Sequence, residues 1–205
     1  MGRPKKIEGQ EETRERILQE AKRLFAEHGF HRTQLTEIAR AVGVERPALF
    51  YYFKSKETLY AEVVRRLYQG LLEVGQAAVA EQPPIQEGVQ RIPQRLSAFV
   101  LENRRLFGVV VGEMLEATSV GRQAAAEPVT ALVDQVETFL RENAPAPIPP
   151  AAPVRAMMMQ LFSSLLLKQA LGDLGKSLWG ERDSTFEFAT ILFEAMQRWS
   201  DESGD

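Results

Sequence analysis

The chain has 205 residues, 44% of them apolar, a formal net charge of −3 and no cysteine, which is enough apolar material for a sizeable core and rules out a disulfide scaffold or a thiolate metal site. No apolar run approaches the roughly 20 residues needed to span a bilayer, and Met1-Gly2-Arg3-Pro4-Lys5-Lys6 lacks the apolar segment of a signal peptide, so a cytoplasmic location is expected. The charge is uneven: residues 1–56 hold 12 Lys/Arg against 8 Asp/Glu and residues 57–205 hold 13 against 20, which concentrates phosphate attraction at one end.

Residues 1–10 read as a basic mobile arm, because Gly, Pro and like charges bury too little surface to order themselves. Such an arm is either a solubilising tail or a source of extra contacts to nucleic acid through Arg3, Lys5 and Lys6, with Arg3 suited to a narrow minor groove. A long amphipathic helix is predicted over 11–28, with Ile17, Leu18, Ala21, Leu24 and Phe25 on one face; Gly29 ends it and Phe30 can fold back over its last turn. His28 and His31 are the only histidines, and with no Cys nearby they are read as surface groups rather than metal ligands.

Residues 33–60, TQLTEIARAVGVERPALFYYFKSKETLY, hold two short helices. Leu35, Ile38 and Ala39 share a helical face, Val42-Gly43-Val44 breaks the pattern, and Leu49, Phe50 and Phe53 restart it after Pro47. Gly43 suits a tight turn that needs positive φ, Thr33 is placed to N-cap the first helix and Pro47 fits only the first turn of the second. Leu35, Ile38, Val44, Leu49 and Phe53 are read as core. Arg46 can pair with a carboxylate or, at the start of a recognition helix, donate both guanidinium nitrogens to guanine O6 and N7; the second role is favoured. Pro47 and Ala48 offer small apolar contacts for a thymine methyl, Thr33 and Gln34 open the preceding helix within reach of phosphates, and Lys54 and Lys56 follow the aromatic pair. Glu45 caps poorly and repels phosphate.

This spaced series, with the aromatic pair, Phe53 and Lys54-Ser55-Lys56-Glu57 opening the next helix, resembles the DNA-binding segment of the tetracycline-repressor (TetR) family of bacterial transcription regulators over roughly residues 11–65. The resemblance implies that Tyr52 gives its hydroxyl to phosphate, that Tyr51 faces base edges or sugar, and that Lys56 contacts phosphate beside helix N-terminal amides. Two departures stand out. Glu45 replaces a frequent Ser cap, and Phe50 replaces a frequent Tyr.

Further helices are predicted at about 56–81, 85–103, 104–118, 123–143, 154–171 and 184–200. Gly108 and Gly112, four apart, permit a close helix crossing, and Glu113 with Glu116 reads as a solvated face in preference to an acid/base pair. Residues 144–153, APAPIPPAAP, read as a stiff extended connector. The last helix carries two apolar stripes, Phe188, Leu192, Ala195 and Trp199 on one side and Phe186, Ala189, Phe193 and Met196 on the other, which implies burial on both sides. Met157, Leu161 and Leu165 show the same excess; the residues alone permit either a thick monomeric core or a contact with a second copy, and the resemblance to the TetR family favours the second, a homodimer contact made of two helices per subunit.

The expected fold class is all-α: an N-terminal three-helix helix-turn-helix DNA-binding domain over 11–56, its helix-turn-helix proper at about 33–53, then a larger helical effector-binding and dimerisation domain over 57–205, about nine helices in all. The expected function is a repressor that grips a palindromic operator on double-stranded DNA as a homodimer and is released by a small, largely apolar molecule; Phe99, Phe107, Val111, Met114, Met158, Phe162 and Leu166 are the pocket candidates. No cofactor, metal or membrane partner is expected, and no catalytic residue. An enzyme is disfavoured because no phosphate-cradling glycine loop, metal-ligand cluster or nucleophile-base set is visible, and a helical scaffold using its head for protein contacts is the other rival.

Overall fold

The computed structural model describes residues 5–114, 119–180 and 185–198, and among them the secondary structure is helical throughout. In chain order the helices are α1 (Lys5–Arg32), α2 (Leu35–Val42), α3 (Arg46–Tyr52), α4 (Lys56–Ala80), α5 (Ile85–Glu102), α6 (Arg104–Met114), α7 (Val120–Asn143), α8 (Val154–Ala170), α9 (Asp173–Trp179) and α10 (Thr185–Gln197). The chain divides into two packing units, one of residues 1–67 with 105–126 and the other of 68–104 with 127–205. Helices α4 and α7 contribute to both.

Unit 1 is built on α1. Ile17, Leu18, Ala21, Leu24 and Phe25 are buried along one stripe, as their i, i+4, i+7 spacing requires. At Gly29 the backbone turns to φ 78, ψ 169, a region open to glycine alone, so Phe30 swings back until its ring lies 6.2 Å from Phe25 and 4.7 Å from Tyr60. Ile38, Ala39, Val42, Leu49 and Phe53 close the other side, and Leu59, Tyr60, Val63 and Val64 of α4 with Leu106, Phe107 and Val110 of α6 complete the core. The head is therefore larger than residues 11–56. Helix α1 also begins at Lys5, so Lys5 and Lys6 belong to a helix and not to the predicted arm. Arg3 lies outside the described residues.

Unit 2 pairs α5 with α10 and α8, and α8 with α9. Its core draws on Leu71 and Leu72 of α4, Val89, Ile92, Leu96 and Val100 of α5, Leu132, Phe139 and Leu140 of α7, and Ala189, Phe193 and Met196 of α10. The segment between α7 and α8 is non-helical as expected, yet it is anchored and not merely extended: Ile148 and Ala152 are buried, and the Ala152 N–H donates to the Pro149 carbonyl. Helix α9 has no counterpart in the sequence reading. Gly175 permits it, because a Cβ there would fall 2.2 Å from the Lys168 carbonyl oxygen, and only a residue without a side chain lets α9 approach α8 so closely. No close crossing forms at Gly112, where the space is open; α6 turns Leu106, Phe107 and Val110 inward.

Candidate nucleic-acid interface and apolar cleft

The α2–α3 pair is held by its turn. Gly43 adopts φ 76, ψ 30 at the C-cap of α2, and the N–H groups of Gly43 and Val44 return to the carbonyls of Arg40 and Ala39 at 3.1 and 3.0 Å. These satisfy carbonyls that the helix end leaves without partners. The N-cap of α2 is Gln34 and not Thr33, and the Gln34 N–H donates to the Glu37 carboxylate. Thr33 is 1% exposed, its hydroxyl within donating distance of the Gly29 and Leu24 carbonyls at 2.8 and 3.2 Å. Its side chain is thereby removed from the predicted set of phosphate contacts: it ties the start of α2 to the end of α1.

Only Leu49 of α3, with Phe53 at its C-cap, is buried; Leu35 and Val44 are half-buried, at the rim of the core they were expected to enter, and Val42 takes an inner position instead. The outer surface of α3 presents Arg46, Pro47, Ala48 and Tyr51, with Gln34 and Lys54 also exposed and Tyr52 half-buried. Tyr51 is 73% exposed, and its ring meets that of Tyr52 edge-on at 5.4 Å. The sequence places Phe50 on the apolar side, but Leu49 and the C-cap Phe53, four apart on one face, take the inward positions; Phe50 lies outside the core with the Arg46 guanidinium 5.6 Å from its ring centroid. Glu45 caps α3 without a side-chain bond.

Lys56 departs most from expectation. Its Nζ donates to the carbonyls of His31 and Thr33 at 3.1 and 3.2 Å and lies 4.6 Å from the Phe30 ring centroid. An ammonium has three donors, so one remains for an outside acceptor while two close the end of α1.

Unit 2 contains a half-open, almost wholly apolar cleft with a cavity volume of about 100 Å³. It is lined by Val89, Ile92 and Leu96 of α5, Leu132, Val133 and Val136 of α7, Met158, Phe162 and Leu165 of α8, and Leu192 and Phe193 of α10. Of the predicted pocket residues, Met158 and Phe162 line it. Phe99 instead packs against Gly70, Phe107 is fully buried in unit 1, Val111 and Met114 also belong to unit 1, and Leu166 is not among the lining. Four residues assigned to a dimer contact, Met157, Leu161, Leu165 and Leu192, line the cleft as well. Phe188 and Ala195 point outward, and Trp199 lies outside the described residues. The α7 wall was missed although Val129, Leu132, Val133, Val136 and Leu140 repeat at helical spacing. No described helix is long and apolar enough to cross a membrane, and the described residues hold no cluster of metal-ligating side chains.

The family model for bacterial regulatory proteins of the tetR family matches residues 17–63, which brackets the buried α1 stripe, the α2–α3 pair and the first turns of α4. The HTH-type transcriptional regulator AcrR of Shigella flexneri is 34% identical over 161 residues, covering 74% of this chain and 73% of that protein. The HTH-type transcriptional repressor BepR of Brucella suis is 34% identical over 113 residues, 50% of this chain and 54% of that protein. Among solved structures, FadR of Bacillus subtilis, crystallised with stearoyl-CoA, superposes with a TM-score of 0.67 at 17% identity over 89% of this chain and 97% of its own. PfmR of Thermus thermophilus gives 0.63 at 21% identity over 91% and 99%. These two likenesses are of fold.

Proposed function

Because the chain belongs to the TetR family of bacterial regulatory proteins and is a DNA-binding transcription regulator, we propose that it works as a homodimeric repressor, reading a palindromic operator through α3 and releasing it when a small apolar ligand enters the cleft of unit 2. The observation that carries the DNA part is the outer face of α3. Arg46, Pro47, Ala48 and Tyr51 are all exposed on one short helix whose orientation is fixed by a capped turn, and this is the arrangement in which the first residues of a recognition helix reach base edges in the major groove. Gln34, Tyr52 and Lys54 flank it as phosphate contacts, joined by the remaining donor of Lys56. One such helix reads too few bases for useful specificity, whereas two related by a two-fold axis read both halves of a palindrome.

The ligand part rests on the cleft. Its lining offers almost nothing to a polar molecule, and its methionines, Met157, Met158, Met159 and Met196, are unbranched side chains that re-pack around an insert. An acyl chain or comparable apolar group is the ligand class we assign to it, in keeping with the stearoyl-CoA held by FadR of B. subtilis. Helices α4 and α7 each contribute to both units, so a ligand that favours one inclination of either can alter the fit of the head to DNA. A coupling of about 1–3 kcal/mol changes operator affinity roughly 5- to 150-fold.

Selection of bound sequences from a random duplex pool tests the reading. A palindrome is expected to be enriched, with binding falling steeply as salt rises because phosphate contacts release counterions, and acyl-CoA added to the selected duplex complex is expected to release it. No enrichment at low ionic strength would refute the operator; retention of the complex under a series of acyl-CoAs would refute the ligand class.

A further inference from the structure

Helix α3 carries a phenylalanine that the core does not use. Phe50 is 38% exposed, while Leu49 and Phe53 already fill the inward side. An aromatic ring left partly in water gives up burial free energy, so its position calls for a partner. Arg46 lies one turn earlier with its guanidinium carbon 5.6 Å from the Phe50 ring centroid, within the range at which a cation is attracted to a ring face. Helical side chains lean toward the N-terminus, which carries residue 50 over the turn that holds residue 46. Among the described residues Arg46 has no ion-pair partner, leaving the ring as the surface that limits where its guanidinium points.

We propose that Phe50 is a specificity-positioning residue: its ring face supports the Arg46 guanidinium and orders it before DNA arrives, so that both nitrogens meet one guanine edge. This inference rests on the DNA-reading role of α3 and goes beyond it by assigning the fidelity of one base pair per half-site to a residue that does not read a base. The physical reason is the shape of the group. A guanidinium is a planar fork whose bidentate geometry tolerates little rotation, and an arginine free to sample many rotamers must be ordered on binding. A ring beneath it removes part of that ordering. Any aromatic residue at position 50 can serve; a branched aliphatic of similar bulk cannot, because it lacks the negative ring face.

The test is a double-mutant cycle on the duplex selected by the wild-type protein, with every single-base variant of one half-site measured in turn. Arg46→Ala is expected to lose preference at its base pair by about 5- to 150-fold. Phe50→Leu is expected to lose about 2- to 5-fold at that same base pair with little change at the others, Phe50→Tyr to keep the preference, and Phe50→Leu in the Arg46→Ala background to add nothing. Because the ring is exposed, melting of Phe50→Leu is expected to match wild type, and the double variant controls for any effect on α3 itself. Equal loss on all duplexes, loss at a different base pair, or additive losses in the double variant would each overturn the inference while leaving operator recognition intact. A wild-type protein that selects no duplex would overturn both, and that outcome is visible before any variant is made.

Discussion

Glu113 shows how one side chain can change the meaning of a helix face. The residue is 8% exposed, and its carboxylate accepts from the Ser119 hydroxyl at 2.9 Å and the Gly121 N–H at 3.1 Å, while Ser119 Oγ accepts from the Arg122 N–H at 2.9 Å. Ser119 is thus the N-cap of α7, and a negative group beside the first turn of a helix is stabilising. Glu116, its partner in the acid/base reading, lies outside the described residues, and what is described of Glu113 is capping, not a solvated charge. The spacing did hold a signal, for Leu106 and Val110 are both buried and position 113 continues their stripe at i+3, but a carboxylate at an inward position is normally taken as an exception. Glu113→Ala strands the Ser119 and Gly121 donors and is expected to cost about 1–3 kcal/mol, seen as a lowered thermal midpoint. Glu113→Gln, which keeps an acceptor of the same shape, is expected to cost less. Equal melting of Glu113→Ala and wild type would show that the contact contributes nothing.

Between elements, what joins α1 to α4 is ionic as well as apolar. Glu62 of α4 accepts from Arg14 of α1 at 3.3 Å and from Arg65 and Arg66 of its own helix at 2.9 and 3.2 Å, and Arg66 also pairs with Glu15 of α1. Burial alone would raise the Glu62 pKa, but the hydrogen bonds and charge of the arginines outweigh it and hold the carboxyl below its ordinary 4.5. A carboxylate whose folded pKa is depressed adds stability that is present above the unfolded value and lost as pH falls through the folded one. The head is therefore expected to lose part of its stability below about pH 4.5, and Glu62→Gln to flatten that acid limb when denaturant midpoints are followed against pH; an unchanged limb would remove Glu62 from the account. The pairs within α4 follow from i,i+3 and i,i+4 spacing, but those to α1 are not legible in the sequence, because Arg14 and Glu62, like Glu15 and Arg66, are far apart in the chain and meet only once α1 and α4 are packed. The turn at Gly43 was legible, since it depends on adjacent residues alone. So were the approximate bounds of the long helices, where periodicity accumulates over many turns. Helix α9, at seven residues, is too short for a period to show, and Thr33 was misassigned because a hydroxyl before a helix caps it far more often than it turns inward.

At the scale of the whole molecule, the apolar excess of the C-terminal helices has to be accounted for. The two stripes of α10 separate in part: Ala189, Phe193 and Met196 are buried and Leu192 is half-buried at the cleft, while Phe188 is 41% and Ile191 61% exposed. Met159 and Leu167 of α8 and Leu174 and Leu178 of α9 are exposed as well, and a group of large apolar side chains on neighbouring helices is more than a monomer ordinarily leaves to water. A second copy is the occupant that the operator reading requires. In a two-fold contact each substitution acts twice, and burying the exposed part of one Ile191 side chain is worth about 1–2 kcal/mol, so Ile191→Glu is expected to weaken self-association by roughly 20- to 500-fold before the cost of burying its charge is counted. Sedimentation should then show a subunit of single-chain mass whose melting is little altered, since the side chain stands outside the core. Operator binding should fall with it, and the selected palindrome should give way to weak binding of single half-sites, because the two heads no longer arrive together. A dimer that survives Ile191→Glu combined with Phe188→Glu would place the contact elsewhere and leave the exposed face of α10 to another partner.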